Sequence, residues 1–354
     1  MKKKVQEKLK AYFNKIEQSH LNRLIKLFLR SIPALILILG IWTIIQILTV
    51  LGVINNYYLG IMMTVMVFVI LATSLNIATG FLGQLILGHA AFMGLGAYSG
   101  ALFVMYIDSY IANDFILYLL GITVAFIFTS IIGFLIGTPA LRLKGDYLGI
   151  LTLGFGEIVR VTITNLIDIT GGAGGLRGIP RIASFNMAYF TTVIVVLIIV
   201  LMMNSKYGRA MLSIREDEIA SEAVGIHLYK YKIIGFVLAA GFGGVGGALY
   251  VFTKGFIAPS SITFMQSVNI FVIVVLGGIG SVTGSIIAAI VLTLLPQMLL
   301  EFDSWRMLIY SAMLILMMLF RPQGLLGTKE LSLKTFSDKL ERKFYRPKIE
   351  KQGD

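Results

Sequence analysis

The chain has 354 residues, of which 57% are hydrophobic and only 14% charged, and its mean hydropathy is +0.87. Soluble domains carry about 25% charged residues, so this composition excludes a soluble protein and defines an integral membrane protein. The absence of cysteine removes disulfides, thiolate metal sites, iron-sulfur clusters and cysteine nucleophiles together.

Residues 1–30 hold nine Lys/Arg against two Glu, and Val5, Leu9, Phe13, Ile16, Leu21, Leu24 and Phe28 recur at three- to five-residue steps. That pattern predicts a basic amphipathic segment lying on an anionic membrane face. The apolar run that follows, 32–53, has no small-residue cleavage pattern and reads as an uncleaved first span. Further apolar runs lie at 59–77, 84–107, 115–140, 148–166, 187–203, 233–252, 265–279, 285–300 and 307–320. The expected fold is therefore an all-α polytopic membrane protein of ten helices, within bounds of eight to eleven. The open point is 265–300, where only Gly277-Gly278-Ile279-Gly280 separates one over-long helix from two spans joined by a tight turn.

Charge arbitrates. Ten spans place both termini and the segments 142–147 and 204–232 on one side, which then holds 25 of the 30 Lys/Arg; Arg160, Arg177, Arg181, Lys254 and Arg306 are the remainder. Positive loops stay in the cytoplasm during insertion, so the N-in, C-in arrangement follows, whereas nine spans would put the nine-cation tail outside. The net charge of +12 is thus an orientation signal and not a nucleic-acid surface. The expected organisation is a basic cytoplasmic segment at 1–30, a transmembrane domain at 31–320 with a cytoplasmic loop at 204–232, and a basic tail at 321–354.

Enzyme signatures are lacking. Gly241-Phe-Gly243-Gly244-Val-Gly246 fits a dinucleotide fingerprint, but it lies inside a span with no strand before it. Close helix packing is the better use of such glycines: Gly243 with Gly247, Gly96 with Gly100 and Gly280 with Gly284 each form a small-x-x-x-small step. No Gly-Lys pair exists, so there is no Walker phosphate loop, and no His/acid cluster suits a metal. No catalytic residue, metal or cofactor is expected in the chain itself.

Ionisable groups within spans cost about 2.5 to 3.5 kcal/mol each and so mark candidate sites. Glu157 and Arg160 share a helix face near mid-span, which suits either a structural ion pair or the lining of a solute path. Gln84 and His89 lie in a glycine-interrupted stretch, Gly83 to Phe92, although a packing histidine is the blander reading of His89. A second interrupted stretch, Leu276 to Gly284, lies in the other half of the chain. Paired breaks of this kind point to an internal repeat with a site near the membrane centre.

In the 204–232 loop, Ser213-Ile-Arg-Glu216 fits a capping box, Glu216, Asp217 and Glu218 fill a first turn, and Gly225 is placed to end a helix. A short cytoplasmic helix over about 214–224 is predicted. Its Ile219, Ala223 and Ile226 form an apolar patch outside the membrane, which fits a protein partner or lipid headgroups.

Taken together, several segments resemble the LivM-type permease of branched-chain amino acid ABC importers. They are Ser74 to Gln84, Gly88 to Gly94, Gly154 to Arg160, Thr170 to Pro180, Gly208 to Ala210 with Ala223 to Ile226, Gly277 to Gly284, and Arg321 to Gly327, in that order. The resemblance implies a homologous second permease, two cytoplasmic ATPases that bind ATP-Mg, an external solute-binding protein, and a prokaryotic cell-membrane location. It also implies that the short helix docks on an ATPase through Glu218, Glu222, Ala223 and Gly225, with Val224 departing from the family's motif. Leucine, isoleucine and valine are the implied solutes; urea or short amides are the alternative. A secondary transporter using Glu157 as its ion site is a separate class, opposed by the capped cytoplasmic helix.

Overall fold

A computed structural model describes residues 36–143, 145–299, 305–321 and 323–327. The basic segment 1–30 and the tail beyond 327 lie outside the described residues. The chain divides into two compact units, Met1–Asn55 with Leu331–Asp354, and Asn56–Glu330. In the first, the described part is helix α1, Ile36–Val50, and the turn that follows at 51–55.

The second unit contains α2 (Asn56–Asn76), α3 (His89–Ile107), α4 (Asp114–Ala140), α5 (Asp146–Asn165), a single turn α6 (Ile167–Thr170), α7 (Phe185–Met203), α8 (Lys206–Glu216), α9 (Glu218–Ala223), α10 (Leu228–Lys254), α11 (Phe264–Gly277), α12 (Val282–Met298) and α13 (Arg306–Phe320). Among the described residues there is no β-strand, only one antiparallel bridge between Leu176 and Ile257. Among the described residues, each of the ten apolar runs overlaps a helix. Seven segments of the described residues are long and apolar enough to cross a membrane, α11 qualifying together with the 3-10 turn before it, while α1 and α12 are shorter apolar helices.

Helix starts are set by side chains that take up orphan amides. Asn113 accepts from Phe115 and Ile116 N–H ahead of α4, and Ser184, Thr263 and Ser281 do the same for α7, α11 and α12. The 265–300 run is two antiparallel helices, α11 and α12, joined by a turn at 278–281. They meet so closely that a Cβ on Gly284 would lie 2.0 Å from the Gly277 carbonyl oxygen. Gly284 thus lies at the α11–α12 contact, while Gly280 sits in the turn with φ +86°.

Helices α2, α3 and α10 form the centre, with 67%, 61% and 78% of their apolar windows buried, against 22% for α4 and 28% for α5 and α7. Small residues bring the central helices together. A Cβ on Gly96 would stand 2.3 Å from Gly244 Cα, one on Gly247 would stand 1.8 Å from the Met93 carbonyl oxygen, and Gly100 lies against Gly121 and Ala248. Gly243 instead makes room for the His89 ring. Such contact is available only where side chains are absent, and it replaces the hydrophobic drive that lipid does not supply. The Gly241–Gly246 motif is part of this buried face, which accounts for its glycines without a nucleotide.

The 204–232 loop corrects one expectation. The single helix over 214–224 is broken at Asp217, whose φ of −157° and ψ of 113° are extended. Ser213 is inside α8 and not a cap. Asp217 caps α9 instead, its Oδ1 accepting from Ile219 and Ala220 N–H at 2.9 and 3.0 Å. The carboxylate is a charged acceptor at the positive helix end, which favours it over the neutral serine four residues earlier. The C-terminal expectation holds: Gly225 has φ +87°, its N–H donates to Glu222 O, and Ile226 N–H reaches back to Ser221 O.

Candidate functional site

Two regions carry the polar groups singled out in the sequence, and they are distinct. In the first, α5 presents Glu157 and Arg160 one turn apart. Arg160 Nε and Nη2 both lie 2.7 Å from Glu157 Oε2, and the two side chains are 37–38% exposed. The buried face of α5, through Thr152, Phe155 and Val159, points to the bundle, so the ion pair projects from a half-open flank. Gly154 beside it has open space where a side chain would be.

The second region is the first break. The α2 ladder loosens into a π turn at Ile77–Phe81, and the chain runs from Leu82, packed on Gly235, to His89, packed on Gly243. His89 therefore starts α3 beside the middle of α10. Its Nε2 is hydrogen-bonded to Ser74 Oγ at 3.0 Å, and it is fully buried. With the Ser74 proton donated to Leu71 O at 3.0 Å, the ring donates from Nε2, and Nδ1 has no hydrogen-bond partner. Gln84 is also buried, its amide oxygen unpartnered and its backbone N–H donated to Ala78 O. The break packs on α5 through backbone: Leu87 N–H donates to Thr152 Oγ1 at 3.1 Å, and a Cβ on Gly88 would lie 2.0 Å from the Thr152 carbonyl oxygen. Gln84 and His89 thus belong to the packed core of the break, whereas Glu157 and Arg160 belong to the open flank of α5.

The second break, 278–281, meets the first directly. Asn76, the last residue of α2, accepts from Gly280 N–H at 2.9 Å and donates to Ser281 O and Ser285 Oγ, each at 2.9 Å. Asn76 was not singled out in the sequence, though a polar residue at the end of an apolar run, with serines at the start of the partner helix, is a readable signal. The first break ends at His89 beside the middle of α10. The second meets it on the side where α8 docks: Arg215 of α8 donates from Nη1 to Gly80 O at 2.9 Å and lies against Gly83 and Gly280. The segment Arg321 to Gly327 completes this corner, since Leu325 and Leu326 N–H donate to Leu276 O and Gly277 O, the last carbonyls of α11.

The pair α8–α9 is tied internally by Ser213 and Ser221, whose hydroxyls are 2.6 Å apart. Glu218 is not free at the surface: it pairs with Lys232 Nζ of α10 at 2.5 Å. Ile219, Glu222, Ala223 and Val224 are exposed, Ile219 at 82% and Val224 at 75%, so the tip of α9 is an apolar surface with an acid beside it.

An all-α bundle with seven apolar segments long enough to cross a membrane among the described residues, two glycine breaks and a docked α8–α9 helix pair is the architecture of a multi-pass membrane protein. The family model described as branched-chain amino acid transport system / permease component matches residues 57–319, and the chain belongs to that family. It is 34% identical over 307 residues to the high-affinity branched-chain amino acid transport system permease protein LivM of Escherichia coli, covering 76% of this chain and 70% of that protein. It is 24% identical over 256 residues to the probable LivM of Methanocaldococcus jannaschii, covering 64% and 74%. A shorter match of 129 residues, 33% identical, is to the permease LivH of Escherichia coli, covering 36% of this chain and 42% of that one. No solved structure matches the chain. The chain is thus a transport permease subunit and a multi-pass protein of the prokaryotic inner membrane.

Proposed function

We propose that this chain is one of two homologous permeases of an ATP-driven importer for leucine, isoleucine and valine. The observation that carries this reading is the α8–α9 pair: a doubly capped unit, joined by the Ser213–Ser221 hydrogen bond, whose exposed apolar tip, Ile219 to Val224, stands outside the bundle. An exposed apolar tip fits a covering partner, and the acids Asp217 and Glu222 beside it disfavour an anionic lipid surface as that partner. In this reading a cytoplasmic ATPase covers it, with Glu222, Ala223 and Gly225 at the contact and Glu218 holding the unit to α10. ATP is bound and hydrolysed by two such ATPases, the chain itself needs no cofactor, and an external binding protein delivers the solute. Similarity to both LivM and LivH, two permeases of one transport activity by name, supports the pairing with a second permease.

The path runs along the half-open flank of α5, where Glu157 and Arg160 face the lumen shared with the partner permease. A zwitterionic solute offers each of them a counter-charge, and their mutual pairing keeps the flank neutral when empty. Gln84 and His89 line the break behind this flank and shift with it. Movement of the ATPases on α9 biases the bundle between outward- and inward-facing states, so transport is a population shift driven from outside this chain. Uptake by the reconstituted complex of labelled leucine against labelled urea tests the solute: leucine uptake that unlabelled isoleucine and valine suppress is expected, and preferential urea uptake overturns it.

A further inference from the structure

Arg215 occupies an unusual place. It is the residue next to last in α8, yet its side chain leaves the cytoplasmic pair and enters the corner where the two breaks meet. Its Nη1 donates to Gly80 O at 2.9 Å, inside the π turn that ends α2. A π turn takes carbonyls out of the regular helical ladder, and a guanidinium gives such a carbonyl a charge-assisted hydrogen bond, stronger than a neutral one. The same side chain fills the space left by two glycines in left-handed conformation. A Cβ on Gly83 would lie 3.0 Å from Arg215 Cγ, and one on Gly280 would lie 2.6 Å from Nη1. Gly80 in turn stands against Asn76 and Gly280 at distances that leave no room for a side chain. On its outer side the guanidinium is held by Glu216, through Nε at 3.2 Å and Nη2 at 2.6 Å.

The path of force follows from these contacts. The α8–α9 pair is internally rigid through the Asp217 cap and the Ser213–Ser221 bond. Beyond packing, its polar ties to the bundle among the described residues include Glu218 to Lys232 at the start of α10, Arg209 to Asn204 O at the end of α7, and Arg215 to Gly80. Of these, the Arg215 tie alone reaches the place where Asn76 joins the end of α2 to the start of α12. We infer that Arg215 is the positioning residue that transmits displacement of the α8–α9 pair to both glycine breaks at once, through Gly80 to the 82–88 segment and through the Asn76–Gly280 contact to the α11–α12 turn. This rests on the reading of α9 as the ATPase contact, and goes beyond it by assigning the residue that carries the motion onward.

The test uses the full reconstituted transporter, with this chain, its partner permease, the ATPases and the binding protein. In Arg215→Ala, binding-protein-stimulated ATP hydrolysis should stay within about twofold of the parent while ATP-driven leucine uptake falls tenfold or more. Arg215→Lys, which keeps one donor for Gly80 O, should recover part of the uptake. A merely structural role would lower hydrolysis and uptake together; that result, or an unchanged ratio of uptake to hydrolysis, overturns the inference. Since the chain has no cysteine, spin labels at Arg209→Cys on α8, Ile279→Cys in the turn and Tyr110→Cys at the opposite end give a second measurement that needs no Arg215 variant. The 209–279 distance should stay constant between nucleotide-free and ATP-trapped states while 209–110 changes. A 209–279 change as large as that of 209–110 overturns the inference even where Arg215→Ala does not assemble. Failure of the parent complex to take up leucine with ATP would instead reject the importer reading.

Discussion

Asn76 and Gly280, 204 residues apart in the chain, are joined by a 2.9 Å hydrogen bond from the Gly280 N–H to the Asn76 side-chain oxygen. The same side chain donates to Ser281 O and Ser285 Oγ, so one fully buried carboxamide fixes the end of α2 to the start of α12. All its bonding groups are used in one place. In apolar surroundings each such bond is strengthened by the lack of competing water, and each group left without a partner is costly.

Replacing Asn76 with Ala removes three hydrogen bonds at once and should destabilise the bundle by about 2 to 4 kcal/mol. Asn76→Asp keeps the acceptor for Gly280 and loses the donors, and it adds a buried charge, so it should be no better than Ala. Thermal unfolding of the purified protein in detergent checks both. An Asn76→Ala protein as stable as the parent would show that the two halves are held by packing alone.

Gly96→Ala places a methyl 2.3 Å from Gly244 Cα and carbonyl oxygen, which forces α3 off α10. Overpacking of this kind costs about 1 to 3 kcal/mol. At Gly100 the nearest atom is 3.1 Å away, so Gly100→Ala should lose clearly less. The ratio of the two losses, read from the same detergent melts, distinguishes backbone contact from a general intolerance of α3.

The Glu157–Arg160 pair is more than a third exposed, and exposed pairs contribute at most about 1 kcal/mol. Glu157→Gln should therefore leave expression and melting nearly unchanged and lower uptake at limiting solute. The exchange Glu157→Arg with Arg160→Glu should recover part of the loss. Normal uptake by Glu157→Gln at limiting and saturating solute would assign the pair to structure only.

Gly225→Pro removes the N–H that donates to Glu222 O and imposes a negative φ where the backbone has +87°. The α9 cap should open and transport should be lost, with the protein still inserted in the membrane at near-parent level, because the change lies outside the spans. Membrane-fraction immunoblots with parallel uptake assays read the two effects separately.

The helices were legible because long apolar runs bounded by Asn, Ser, Thr and Gly leave few alternatives in a bilayer. The 265–300 run was decided by charge before geometry, and α11 and α12 agree with it. The relation of Gln84 and His89 to the Glu157–Arg160 pair was not legible: spacing along the chain says nothing about which flank of α5 faces the break. The split at Asp217 was missed because Ser213 and Asp217 both suit a cap, and only the docking of α8 by Met211 and Ile214 decides between them. Arg215 was hidden for a related reason, since its partner Gly80 is 135 residues away and a backbone carbonyl has no signature in sequence.

The most direct test of the account is leucine uptake into proteoliposomes holding the complete complex, with binding protein outside and nucleotide inside. Uptake should require hydrolysable ATP and be indifferent to an uncoupler. Uptake that survives loss of nucleotide and collapses with the uncoupler would contradict the account and make Glu157 the ion site of a secondary transporter.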